Sequence, residues 1–73
     1  MQIASNLKAL REQKGFTQEE FAKAVGISRE VIAKYETGWR VPKFEQALKI
    51  AEVLGITCEE LAYGKAEQKN LEN

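Results

Sequence analysis

TQEEFAKAVGISREVIAKYET, Thr17 to Thr37, is the stretch whose reading decides the fold. Thr17 followed three residues later by Glu20 is a capping box, each side chain meeting the other residue's backbone N–H. Phe21, Ala22 and Val25 then form one apolar stripe at a 3.6-residue period. Gly26 stops this helix, because glycine enters the left-handed conformation without steric cost. Ile27 points back inward, and Ser28 is a good N-cap for a second helix with Ile32 and Tyr35 on its buried face. Two short helices joined by a glycine-containing turn predict a helix-turn-helix.

The flanks read as a scaffold for this unit. A first helix spans about Ile3 to Lys14, with Ile3, Leu7 and Leu10 inside and Asn6, Lys8, Glu12 and Gln13 outside. Phe16 is a hydrophobic staple against the next helix. Gly38 ends the third helix. The residue before Pro42 is biased away from helix, so a fourth begins near Lys43, with an apolar stripe of Phe44, Ala47, Leu48, Ala51 and Leu54. After Gly55, Thr57 and Glu60 make a second capping box and open a fifth helix to about Tyr63, with Leu61 inward. The expected organisation is one all-α, five-helix domain over residues 1–63 and a polar, frayed tail over residues 64–73. The 73-residue length allows one domain. A domain so small buries only about 60% of the surface its unfolded chain exposes, and dimerising adds to that.

Composition narrows the function. Hydrophobic residues make up 44% and charged residues 30%, the profile of a soluble globular chain. No secretory signal and no apolar run near ~18 residues occurs, so an intracellular, cytoplasmic protein that spans no membrane is expected. Histidine and aspartate are absent and Cys58 is the sole thiol, with no imidazole to activate it. Neither a phosphate-binding glycine loop nor a metal-ligand cluster is present. An enzyme, a cofactor, a bound metal and a small-molecule ligand are therefore not expected. Net charge is zero, but Arg29, Lys34, Arg40 and Lys43 crowd around the second helix of the motif against only Glu30 and Glu36. The position of charge, not its sum, draws an anionic partner.

LKALREQKGFTQEEFA, VGIS, YETG, the VP of the loop and LKIAEVLGI together resemble the Cro/phage-repressor type of helix-turn-helix domain, the xenobiotic-response-element family. The resemblance covers about residues 3–63. It implies a compact lambda-repressor-like domain that binds operator DNA, usually as a two-fold dimer. The expected function is sequence-specific binding of double-stranded DNA by a transcriptional regulator, a repressor acting as a homodimer on a pseudo-palindromic operator. The alternatives are a protein-interaction module, a restriction-modification controller or an antitoxin.

In that geometry the second helix of the motif enters the major groove. Ser28, Arg29, Glu30, Ala33 and Lys34 are then the expected base contacts, with Arg29 suited to the O6 and N7 acceptors of guanine. Glu30 is either a reader of cytosine or the partner of Lys34 in a surface i, i+4 pair. Gln18, Thr37, Arg40 and Lys43 are the expected phosphate contacts, and the family pattern gives Gln18 that role directly. Lys43 replaces the family's usual serine or threonine cap. Trp39 departs from the family's polar or basic residue; it is expected either to cover the core edge, the favoured reading, or to offer its indole N–H to a phosphate. The same pattern pairs Arg11 with Glu36 in a partly buried ion pair that ties the first helix to the third. A dimer surface is expected on the loop into the fourth helix and on the fifth helix, around Glu59, Tyr63 and Leu71. The chain is read as an independent small regulator with no room for a sensing domain, the alternative being an accessory domain of a larger regulator.

Overall fold

The structure is a computed structural model and describes residues 3–64. The tail, with Leu71, lies outside the described residues. Five helices follow in order: α1 Ile3–Gln13, α2 Gln18–Val25, α3 Arg29–Glu36, α4 Phe44–Leu54 and α5 Cys58–Tyr63. No strand occurs among the described residues. α1 packs on α3 and α5, α2 on α3 and α4, and α4 on α5, so every helix touches at least two others.

Local chemistry sets each boundary. Thr17 Oγ1 accepts from the Glu20 N–H at 3.0 Å, and Glu20 Oε1 accepts from the Thr17 N–H at 2.9 Å. Thr57 and Glu60 repeat the box at 3.0 Å in both directions. Gly26 has φ +89° and lets the Ile27 N–H close back on the Ala22 carbonyl at 3.0 Å, an oxygen that also accepts from the Gly26 N–H at 2.8 Å. Ser28 Oγ accepts from the Val31 N–H at 3.2 Å and starts α3. Lys43 occupies the N-cap of α4 and makes no side-chain cap bond.

The core gathers one stripe from each helix: Leu7 and Leu10, Phe21 and Val25, Ile32 and Tyr35, Ile50 and Leu54, and Leu61. Burying each large apolar side chain stabilises the fold by about 1.5–3 kcal/mol. Phe16 packs on Phe21 with ring centroids 5.5 Å apart, the staple that fixes the entry into α2.

Three sequence expectations need correction. The buried face of α4 is Ile50, Ala51 and Leu54, while Phe44 is 72% and Leu48 45% exposed. α2 and α5 cover only part of that helix's broad apolar arc. Trp39 does not cover the core edge; it is 78% exposed. Asn6 is half-buried, because its side-chain amide donates to the Leu61 carbonyl at 2.9 Å near the open end of α5.

Candidate nucleic-acid interface

Three helices are locked together behind the outward face of α3. Arg11 Nε donates to Glu36 Oε2 at 2.6 Å and Arg11 Nη2 to Glu36 Oε1 at 3.2 Å, a two-pronged contact between α1 and the last turn of α3. Arg11 Nη1 donates to the Phe16 carbonyl at 2.7 Å. Gln18 Nε2, from the first turn of α2, donates to the same Glu36 Oε1 at 3.0 Å. Arg11 is 7% and Glu36 9% exposed, so this is a buried charge pair with several of its polar atoms satisfied. The planar guanidinium fork suits such a site. The hydrogen bond to Glu36 raises the Arg11 pKa, outweighing the opposing effect of burial.

This framework fixes the angle of α3 against α2 and leaves one side of α3 open. Arg29, Glu30 and Lys34 are exposed, Ser28 is exposed at the N-cap, and Ala33 is half-buried between them. Arg29 makes no hydrogen bond or ion pair among the described residues, so its donor fork is unengaged. Glu30 and Lys34 do not form the i, i+4 pair; the Lys34 ammonium instead lies 5.9 Å from the centroid of the Trp39 ring. Ser28 uses its oxygen as a cap acceptor and keeps its hydroxyl proton for another partner.

The residues expected at phosphates differ among themselves. Arg40 and Lys43 are exposed beyond the C-terminal end of α3. Gln18 spends one amide proton on Glu36 and has one left to give. Thr37 is positioned less well. Its hydroxyl proton is taken by the carbonyls of Ala33 at 3.0 Å and Lys34 at 3.3 Å, so a phosphate would have to compete with them. Glu19 lies exposed in the first turn of α2 and opposes an anion there.

The sequence reading missed the Gln18–Glu36 bond. Its only sequence signal was the coincidence of a glutamine at the start of α2 with a glutamate already assigned to Arg11. No group of three or more metal-ligating side chains occurs among the described residues. Nor is any of their helices long and apolar enough to cross a membrane.

Comparison with known proteins gives a consistent answer. A family model described as helix-turn-helix matches residues 7–61. An uncharacterised HTH-type transcriptional regulator of Bacillus subtilis, YazB, is 45% identical over 56 residues, covering 77% of this chain and 81% of that protein. The chain spans 58% and 65% of the length of two further curated relatives. Among solved structures, the restriction-modification controller C.AhdI of Aeromonas hydrophila superposes with a TM-score of 0.78 at 33% identity, covering 82% of this chain and 91% of that one. The P22 c2 repressor, solved with a synthetic operator, gives a TM-score of 0.82 over 89% of this chain and 98% of that one. Its 23% identity speaks for the fold alone.

Proposed function

The chain belongs to the helix-turn-helix family of the Cro and phage-repressor type, and from that premise we propose that it is a transcriptional regulator that binds double-stranded DNA through α3. The family and fold are those of DNA-binding regulators, not of enzymes. The observation that carries the proposal is the outward face of α3. Arg29 and Lys34 stand exposed there, on a helix whose inner side is fixed by the Arg11–Glu36–Gln18 network. A fixed helix presenting donors that no protein acceptor occupies is what reading base edges requires. Arg29 is the principal base reader, Lys34 reads a base or holds a phosphate, and Ala33 lets the helix approach closely. Glu30, left without Lys34 as a partner, accepts from a cytosine amino group. Arg40, Lys43 and the second amide proton of Gln18 hold the backbone.

The protein acts in the cytoplasm as a homodimer, and as a repressor. Val41, Phe44, Leu48 and Tyr63 support the dimer: all four are exposed apolar or aromatic side chains on α4, on α5 or on the loop before α4. Two copies related by a two-fold axis would read half-sites about 34–36 Å apart.

Gel shift with mixed duplex DNA over a range of salt concentrations tests the reading. Phosphate contacts release counterions, so binding should fall steeply and linearly on a log–log plot. No shift at any salt concentration, with the protein folded, would refute it.

A further inference from the structure

Among the described residues, Trp39 is the most exposed large apolar side chain, on the loop that leaves α3. Nothing in the core requires a tryptophan there. The main chain nevertheless places it closely. Its N–H donates to the Lys34 carbonyl at 2.9 Å, and the Arg40 N–H to the same oxygen at 3.3 Å. Gly38, at φ +81°, makes the reversal that brings the loop back along α3. The result is an indole ring beside the outward side of α3, with the Lys34 ammonium 5.9 Å from its centroid.

We propose that Trp39 is a positioning residue for DNA recognition: its indole face holds the Lys34 ammonium at the C-terminal end of the outward face of α3, and it is that ammonium which meets DNA. This rests on the reading of α3 as the helix that faces DNA. A cation over an aromatic face is attracted by the ring's negative quadrupole. A free lysine must surrender the rotamers of a four-carbon stem when it contacts DNA. One already held by an aromatic ring surrenders fewer, so affinity rises without a new DNA contact. The ring occupies one side of the ammonium and leaves its other donors for a phosphate oxygen or a guanine edge. Glu30, the alternative tether one turn away, makes no ion pair with Lys34, so the ring is the group that orients it.

The test is a mutant cycle of K34A, W39A and the double variant, with W39F as the conservative control. Kd is measured by fluorescence anisotropy on a labelled duplex carrying the site that the wild-type protein selects from random DNA. W39A should weaken binding about two- to fivefold, the size of an exposed cation–π contact. It should leave the salt dependence unchanged, since no charge is lost. K34A should flatten the salt dependence by about one charge. In the K34A background W39A should cost nothing further, and W39F should recover most of the loss. Three results overturn the inference while leaving the DNA reading intact. They are W39A binding like wild type, W39A weakening binding equally in the K34A background, or W39F behaving like W39A. A wild-type protein that selects no DNA at all removes the reading of α3 and this inference with it.

Discussion

Replacing Glu36 by leucine should remove more stability than any other single change to a polar residue in this domain. The structure supplies the magnitude. Glu36 accepts two hydrogen bonds from Arg11 and one from Gln18, and both members of the charge pair are over 90% buried. E36L leaves a buried guanidinium whose remaining specific partners are the Phe16 carbonyl and the half-exposed Glu12, 3.7 Å away. Stranding one member of such a pair costs about 3–5 kcal/mol. A 73-residue chain at roughly 0.05–0.15 kcal/mol per residue has at most ~4–11 kcal/mol in total. At about 4–8 °C per kcal/mol for a domain of this size, Tm should fall by about 12–40 °C. R11M should cost a similar amount, stranding the carboxylate instead. The pair itself is a different matter, because desolvation offsets its attraction. The double variant R11M/E36L should therefore be more stable than either single variant. Urea unfolding followed by far-UV circular dichroism measures all four proteins. E36L losing under about 1 kcal/mol, or a double variant whose loss is the sum of the two singles, would show that Arg11 and Glu36 are not a coupled buried pair.

Other expectations follow from the same geometry. T17A removes the acceptor for the Glu20 N–H and should cost about 1 kcal/mol in a chemical melt. G26A forces a side chain into φ +89° and should cost at least about 1 kcal/mol, although a Cβ there meets nothing within 4 Å; the strain is in the backbone alone. F44E/L48E should leave the melt of the protomer almost unchanged, since both side chains are outside the core. In sedimentation the same variant should be monomeric at concentrations where the parent is a dimer, and a dimer that persists would remove this face from the assembly.

Much of the fold was legible because its punctuation is local. A Thr-x-x-Glu pair or a glycine at the end of an apolar stripe acts over four residues, and Thr17, Gly26 and Thr57 do in the structure what their spacing implies. The Arg11–Glu36 pair is not local. It was reached through family resemblance, because 25 positions separate its members and no periodicity links them. What stayed hidden depended on which surfaces meet. α4 is apolar over a wide arc, so its sequence is compatible with several buried faces, and where α2 and α5 land selects Ile50 and leaves Phe44 outside. Asn6 looks like an ordinary exposed amide until α5, only six residues long, brings an open carbonyl beside it. Trp39 was misjudged because size and apolarity suggest burial, whereas its ring faces a cation. In the candidate site, the exposure of Arg29 was legible from its place after the turn. The loss of Thr37's donor was not, since it depends on how the last turn of α3 closes.

The proposed function makes α3 the reader of bases and Arg29 its main contact. Selection of bound duplexes from random DNA by the wild-type protein and by R29A, both checked for equal melting, tests it most directly. The wild-type protein should enrich a two-fold symmetric pattern, with guanine favoured at one position of each half-site. R29A should lose about 1–3 kcal/mol of discrimination at that position and little elsewhere. An R29A selection that returns the wild-type pattern would rule out Arg29 as a base reader, and a folded wild-type protein that enriches no sequence at low salt would rule out base reading by α3.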